Sequence, residues 1–355
     1  MQIISLLTPG LETIARQEVQ ELLNVKATIS PGVIEFSAKS KEDILKYLHH
    51  AQAPRRILAS LGNYKTSINF KDLKFPWQDF FTPELSFKVE VEGLSGQENR
   101  FTLAKKTAGK LFDVLKPLEP EVNLKKPDIL VIIFYNGKEY CVGIDLAGRE
   151  LNTRDYRLFL HTTSIKGDLA YYFVRKSGFA SGEKLLIGFC KDGTIAIEAA
   201  LFANSLLIHR NPLSCSQFPG FKTMDYTSTA SPPGPITIFA FDQHHSNITA
   251  SKKNARLARS NKSIEFYQLM LEEISLHYAE HKFNRAIFYL TTLEEDKLNE
   301  IFYQVKPLLQ SGGTLLLIGR EQFQPSAPKE YILKEHSLIE KGGKRYALTL
   351  LEKKP

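Results

Sequence analysis

The sequence predicts an α/β protein in which an N-terminal α+β part precedes a C-terminal domain built on a mostly parallel sheet. From about residue 165 onwards, short apolar strand patterns alternate with helical patterns, which is typical of parallel sheets. Before that point, strands and helices alternate in two groups, and a proline-punctuated stretch at residues 72–84 separates them. The chain has 355 residues, enough for two or three domains with cores of their own.

Composition places the chain among ordinary globular proteins, with 43% hydrophobic and 24% charged residues. Its longest apolar run, residues 129–135, is too short to span a bilayer, and the first residues lack the pattern of a secretory leader. The three cysteines have neither paired nor metal-ligand spacing. We therefore expect a cytoplasmic protein with no membrane partner and no metal.

Residues 1–70 are expected to form a ferredoxin-like unit. The pattern predicts strands at residues 3–7 and 33–37 and a helix over residues 12–23 with apolar side chains at helical spacing. A second helix is predicted over residues 41–49, with Ser40 as its N-cap. The resulting order, β-α-β followed by α, is typical of ferredoxin-like units.

Residues 71–150 are expected to form a second α+β domain. A strand at 85–91 is followed by a helix at 101–115, and a buried strand at 129–135 leads through the Asn136-Gly137 hairpin turn into a returning strand at 140–145. Lysines cluster on the predicted helix and before the buried strand, at Lys105, Lys106, Lys110, Lys125 and Lys126.

Residues 151–164 are predicted to be a linker, and residues 165–355 the parallel-sheet domain. After a helix at 169–175, the main strands of this domain are predicted at 185–189, 236–241, 285–290 and 312–318. A segment around 264–270 supplies one more strand, and two further strands at 331–339 and 346–351 are expected to end the sheet as a hairpin.

The transition from the strand at 185–189 into an Ala-rich helix predicts a ligand site. In such folds the turn between strand and helix brings backbone N–H groups close to a nucleotide-like ligand. Gly193 in this turn tolerates positive φ and a close approach of the ligand. Asp242 ends the next strand, where a carboxylate can accept hydrogen bonds from both hydroxyls of a ribose.

The run Gly-Thr-Ile-Ala-Ile-Glu-Ala-Ala at residues 193–200 matches the first cofactor motif of S-adenosylmethionine-dependent RNA methyltransferases that carry a THUMP domain. Residues 8–12 resemble the opening of that family's ferredoxin-like unit, and residues 143–148 resemble the end of its THUMP domain. The link that follows keeps Arg154, Tyr156 and Arg157 of the family's Arg-Gly-Tyr-Arg sequence.

This resemblance implies a ferredoxin-like unit over residues 1–70, a THUMP domain over 71–150 and a Rossmann-like class I methyltransferase domain over 165–355. It implies N2 methylation of guanine in tRNA with S-adenosylmethionine as cofactor. It assigns cofactor contacts to Cys190, Gly193, Thr194 and Asp242.

Several positions depart from the family's motifs. Ile187 replaces the acid that receives the amino group of the cofactor, Gly188 replaces a proline and Asp192 a serine. Lys191 replaces a glycine, and we expect a lysine neither to form the turn freely nor to leave room for the methionine moiety. Met270 or its neighbour stands where the acid for the adenine amino group is expected.

The family's catalytic motif, Asn/Asp-Pro-Pro-Tyr/Phe after the fourth strand, is also changed. The corresponding segment is Tyr289, Leu290, Thr291 and Thr292, which offers no acid, amide or proline pair. The one Pro-Pro pair of the chain, Pro232-Pro233, precedes the second strand of the domain and is predicted to be a rigid loop. We therefore predict that no catalytic residue of the family is retained.

The lysine clusters, together with Arg154 and Arg157, predict RNA contacts, because basic clusters supply sequence-independent affinity for phosphates. The net charge of +7 permits such binding. Together with the family resemblance, which implies tRNA, these features predict a tRNA-binding protein with lost or weakened catalysis that could serve as a scaffold for a protein partner. Two alternatives stay open: an active methyltransferase with an altered site, and a Rossmann-like protein with a different ligand.

Overall fold

A computed structural model describes residues 1–224, 226, 235–292 and 294–355, so the predicted Pro232-Pro233 loop lies outside the described residues. The chain divides into two compact units, residues 1–151 with 209–229 and residues 152–208 with 230–355. Among the described residues, no helix combines the length and apolar character needed to cross a bilayer.

The first unit is built on one mixed sheet of eight strands. Its elements are β1 (Gln2–Leu6), α1 (Glu12–Leu23), β2 (Ala27–Ser30), β3 (Val33–Ser37), α2 (Lys41–His50), β4 (Arg56–Tyr64), β5 (Ser86–Glu92), α3 (Gln97–Leu115), β6 (Glu121–Val122), β7 (Ile129–Tyr135) and β8 (Tyr140–Asp145). The strand order is β2-β3-β1-β4-β8-β7-β5-β6. Because β4 pairs with β8, the strands of the two predicted N-terminal domains form a continuous sheet.

Local signals explain where these elements begin. Ser40 caps α2 as predicted, since its hydroxyl accepts a hydrogen bond from the backbone N–H of Asp43 at 3.2 Å. Helix α3 begins at Gln97, four residues before the predicted start at 101. The prediction missed its first turn because that turn is polar and carries no apolar periodicity. The sequence analysis did not predict β2, whose residues are half-buried or exposed, or β4.

A segment after the second unit's first strand and helix returns to the first unit. The backbone N–H of Cys215 donates to Leu146 O at 2.9 Å, and that of Gly220 donates to Asp79 O at 2.8 Å. Residues 209–224 therefore belong to the first unit in space, although they interrupt the second unit in sequence.

The second unit contains a sheet of seven strands. Its elements are α4 (Gly167–Lys176), β9 (Leu185–Gly188), α5 (Thr194–Ala203), β10 (Ile238–Asp242), α6 (His245–Leu257), β11 (Ile264–Gln268), α7 (Ile274–His277), β12 (Phe283–Tyr289), α8 (Glu295–Val305), β13 (Leu309–Arg320), β14 (Tyr331–Lys341) and β15 (Lys344–Lys353). The order is β11-β10-β9-β12-β13-β15-β14, and only β15 runs antiparallel to its neighbours.

This topology confirms the predicted Rossmann-like sheet and its terminal hairpin. Strand β9 is fully buried and pairs in parallel with both β10 and β12. The strand order therefore reverses at β9, and ligands of open α/β sheets bind beyond the carboxyl ends of the strands at such a point. The residues that follow β9, β10 and β12 consequently lie at one edge of the sheet, where the sequence predicts the site.

Candidate functional site

The loop between β9 and α5 contains three residues with left-handed backbone conformation. Phe189, Lys191 and Gly193 have φ values of 55°, 56° and 79°. Glycine adopts such angles freely, whereas for a residue with a Cβ they cost about 1–2 kcal/mol. The turn thus forms with lysine at position 191, at that energetic cost. A hydrogen bond from the backbone N–H of Lys191 to Asp242 Oδ2, at 3.0 Å, helps to offset it.

The side chain of Lys191 turns into the interior, and the residue is only 8% exposed. Among the described residues, its ammonium nitrogen has no hydrogen-bond partner, and it lies 3.4 Å from the centre of the Tyr289 ring. Burial lowers the pKa of Lys191 to about 7, although the carboxylates of Asp242 and Asp192 oppose that shift. The face of the Tyr289 ring also attracts the ammonium group, in addition to the two carboxylates.

A small cavity lies beside this loop. The cavity lined by Phe189, Lys191, Thr194 and Tyr289, among others, has a volume of about 10 Å³. A cavity of that size holds about one water molecule. Lys191 therefore fills the space in which the family's glycine would leave room for a ligand.

Asp242 is 2% exposed, and protein donors occupy both of its carboxylate oxygens. Oδ2 accepts from the backbone of Lys191, while Oδ1 accepts from the backbone N–H of His244 at 3.0 Å and from Asn247 Nδ2 at 2.9 Å. The carboxylate predicted to bind ribose thus holds the β9–α5 loop against the start of α6.

Asp192 binds the start of α5 to the segment before α4. Its Oδ1 accepts hydrogen bonds from the Thr194 backbone N–H at 3.2 Å and from the Thr194 hydroxyl at 2.8 Å. Its Oδ2 accepts a hydrogen bond from the Ser164 hydroxyl. Arg157 Nε donates to Thr194 Oγ1 at 3.3 Å, so residues of the predicted linker lie across the N-terminus of α5.

Helix α6 supports the loop from the other side. Ser251 Oγ donates to Lys191 O at 3.1 Å and lies 3.5 Å from the sulfur of Cys190, a buried thiol whose pKa burial raises. Asn254 Nδ2 donates to Asp192 O at 2.9 Å. A Cβ at Gly193 would stand 2.9 Å from Ser251 Cβ. The sequence analysis assigned no role to Ser251 or Asn254.

Arg154, predicted to contact RNA, has a fully buried side chain. Its guanidinium donates two hydrogen bonds to Glu198, at 2.8 and 3.0 Å, and the Tyr156 hydroxyl donates to the same carboxylate at 2.7 Å. Burial alone would lower the pKa of Arg154, but the Glu198 carboxylate outweighs burial and raises it. Because Glu198 is buried in an Ala-rich helix, it needs this counter-charge, and Arg154 offers no surface to a phosphate here.

The segment predicted to replace the catalytic motif borders an open pocket of about 320 Å³. Tyr289, Leu290 and Thr291 line it together with Arg320, Glu321 and Arg345. Thr292 donates its hydroxyl proton to Glu294 Oε1 at 2.9 Å. Glu321 is an acid in this pocket that sequence reasoning missed, because it follows β13 and not β12.

The predicted RNA-binding lysines lie in the first unit, and most are exposed. Lys105, Lys106, Lys125 and Lys126 are exposed, whereas Lys110 is half-buried and donates to Ile68 O at 2.6 Å. Arg55 and Arg56, a further basic pair of this unit, form ion pairs with Glu92, Glu150 and Asp145.

The other predicted ligand positions do not complete a site for S-adenosylmethionine. Met270 is 49% exposed at the end of β11, and its backbone N–H donates to Glu273 at 2.8 Å. Ile187, in place of the family's acid, is 1% exposed within β9. Within the described ranges, no three His, Cys, Asp or Glu side chains are placed to hold a metal ion.

Comparisons with known families identify both parts of the chain. Residues 71–145 match the THUMP domain, and residues 154–306 match the RMKL-like methyltransferase domain. The chain therefore combines a THUMP domain with a class I methyltransferase domain of the RNA methylase type.

Solved structures share this fold across the full chain. TrmN from Thermus thermophilus is 19% identical, with a TM-score of 0.71 and coverage of 99% of this chain and 100% of its own. A possible methylase from Clostridium difficile 630 is 18% identical, with a TM-score of 0.76 and coverage of 100% and 98%. SMU.472, whose structure was solved in complex with SAH, is 17% identical, with a TM-score of 0.73 and coverage of 98% and 97%.

Proposed function

We propose that this protein binds RNA, with tRNA as the favoured class, and that it does not transfer methyl groups on its own because its own side chains close the cofactor site. Lys191 carries the second part of the proposal: its buried side chain lies against Tyr289 and leaves a cavity of about 10 Å³. The THUMP match and the likeness to TrmN support the first part.

The residues present do not fit S-adenosylmethionine in this conformation. Asp242 has a protein donor on each carboxylate oxygen, and an aliphatic side chain, Ile187, stands where an acid is needed for the amino group. The proposal includes a role as a scaffold for a protein partner. The proposal keeps the interpretation that the chain has three domains, at residues 1–70, 71–150 and 165–355.

Calorimetry with S-adenosylmethionine and with S-adenosylhomocysteine tests the closed site. We expect the wild-type protein to show no binding at millimolar ligand, and Lys191→Gly to bind more tightly by at least tenfold because glycine restores both the free turn and the space. Lys297→Ala is the matched control, since Lys297 lies outside the loop with its ammonium 4.4 Å from the Phe189 ring centre. Micromolar binding by the wild-type protein would refute the closed site; an unchanged Lys191→Gly variant would show that Lys191 is not what closes it.

Titration of an unmodified tRNA transcript against salt tests RNA binding. Changing Lys105, Lys106, Lys125 and Lys126 together to Ala should weaken binding and flatten the log–log salt dependence by about one unit per lost phosphate contact. Lys138→Ala, also in the first unit, serves as a control for a single exposed charge. Unchanged affinity and slope in the fourfold variant would show that this surface is not the RNA site.

An active methyltransferase with an altered site is the second candidate. The open pocket of about 320 Å³ beside Tyr289 and Thr291 favours it, because these residues stand at the positions of the family's catalytic motif. A tritiated methyl-transfer assay on unmodified tRNA distinguishes the two: robust label in guanosine would establish activity and overturn the first proposal.

A further inference from the structure

Helix α6 and the turn after it present a basic surface on the second unit. The α6 basic surface consists of Lys252, Lys253, Arg256, Arg259 and Lys262, all of which are exposed. No Asp or Glu occurs between Asp242 and Glu265. Among the described residues, none forms an ion pair with these five cations. Their charge is therefore neutralised only by solvent ions, which a polyanion can displace.

An exposed apolar run lies beside this surface. Leu158, Phe159 and Leu160 are 68%, 40% and 60% exposed. The backbone N–H of Phe159 donates to Asn254 Oδ1 at 3.1 Å, and Asn254 Nδ2 donates to Phe159 O at 2.9 Å, so the run is fixed to α6. The ammonium group of Lys253 lies 4.7 Å from the centre of the Phe159 ring. An aromatic ring is thus held next to a row of cations.

We propose that the α6 basic surface and Phe159 form a second RNA contact on this protein, in which the cations bind backbone phosphates and Phe159 stacks on an unpaired base. This inference rests on the proposed RNA binding and adds a site outside the THUMP domain. A basic surface with an exposed aromatic ring suits single-stranded nucleic acid, because phosphates supply affinity while every base offers a face for stacking.

A simple alternative is that these cations only complement the helix. Cations near a helix C-terminus are favourable because of the helix dipole. That role explains Arg256, which lies in the last turn of α6, but not Lys252 and Lys253 near its middle or the exposed Phe159 beside them. Charge complementarity with a polyanion accounts for all of these residues together.

The test compares two charge-matched triple variants in titrations of an unmodified tRNA transcript against salt. Lys252→Ala/Lys253→Ala/Arg256→Ala should weaken binding about tenfold or more and flatten the log–log salt dependence by about two to three units. The control, Lys282→Ala/Lys329→Ala/Lys354→Ala, removes three exposed charges from the same unit. It should change the tRNA affinity by no more than about twofold and leave the salt slope unchanged. An equal loss of tRNA affinity in both triple variants, or an unchanged tRNA affinity in the α6 variant, would overturn the proposal.

Phe159 separates stacking from charge. Phe159→Ala should weaken binding about tenfold with an unchanged salt slope, and Phe159→Tyr should retain wild-type affinity. Equal affinity of wild type and Phe159→Ala would refute the stacking contact. If the wild-type protein binds no tRNA, the proposed function fails as well; if it binds and only the α6 and Phe159 variants are silent, this inference alone fails. If the α6 triple variant lost binding to phosphatidylserine vesicles while its tRNA binding stayed unchanged, the surface would be assigned to membranes. That result would overturn the proposal.

Discussion

The sheet edge of the second unit has a closed half beside β9 and β10 and an open half beside β12 and β13. The two halves differ in how far their polar side chains are hydrogen-bonded within the protein. Beside β9 and β10, the loop carboxylates of Asp192 and Asp242 accept hydrogen bonds from neighbouring backbone and side chains, and the cavity measures about 10 Å³. Beyond β12 and β13, residues such as Thr291 and Arg320 border a pocket of about 320 Å³. One sheet edge can therefore be closed to a ligand at one half while its other half remains open.

The difference has a simple physical origin. In the closed half, Lys191 both adopts the left-handed turn and supplies the side chain that fills the gap, so one substitution changes both shape and volume. In the open half, charged groups such as Arg345 and Glu321 lie near the surface, where water competes for them and no side chain fills the space. The closed half should therefore depend far more on its internal contacts than the open half does.

Breaking the buried ion pair beneath the closed half gives the largest expected effect. Arg154→Ala leaves Glu198 buried without its bidentate partner, and the free energy of unfolding should fall by about 3–5 kcal/mol. Urea denaturation measures it. Arg345→Ala removes an arginine that is 54% exposed in the open half, and its effect should be far smaller because water screens that pair. Similar losses in the two variants would contradict the proposed contrast.

Two glycines give the next contrast. Gly193→Ala combines positive φ with a Cβ placed 2.9 Å from Ser251, so unfolding free energy should fall by about 2–4 kcal/mol. Gly343→Ala in the hairpin of the open half meets no atom within 4 Å and bears only the backbone strain at φ 73°, about 1–2 kcal/mol. Thermal unfolding of both variants tests the comparison; equal losses would show that the loop around Gly193 can yield.

Much of the fold could be predicted because its signals are local. Helix α1 and strands β7 and β8 have the predicted bounds, since helical periodicity defines the first and an apolar run with an Asn-Gly turn defines the others. The effect of Lys191 was also predictable, because a lysine in place of the family's glycine adds a side chain to a tight turn. These features depend on residues within one turn or strand of each other.

The rest depended on contacts between distant residues. Ser164 meets Asp192 across 28 positions of sequence, and Asn254 meets it across 62. No local pattern indicates such partners, so the closure of the loop by its neighbours could not be predicted. The same reason explains Arg154: its sequence match indicated a basic link, while its burial follows from Glu198, 44 residues further along the chain.

The pH dependence of stability gives the most specific test of the closed half. Because burial lowers the pKa of Lys191 to about 7 in the folded protein, the unfolded chain binds more protons above that pH. The penalty for burying a charged lysine is therefore complete below pH 7 and is relieved as pH rises towards the unfolded pKa of about 10.4. Relative to Lys191→Met, the wild-type protein should gain stability between pH 7 and 10, by at most about 1.4 kcal/mol per pH unit.

Urea unfolding of both proteins at pH 6, 7, 8 and 9 measures this difference, and Lys297→Met is the control for a lysine next to the loop. A wild-type advantage that grows with pH only against Lys191→Met would show that the buried amine loses its proton in the folded state. A flat difference would mean that the Tyr289 ring and the nearby carboxylates keep the ammonium charged. In that case the closed half holds a fixed positive charge at the position where the family binds its cofactor, and Lys191 would oppose the cofactor by charge as well as by volume.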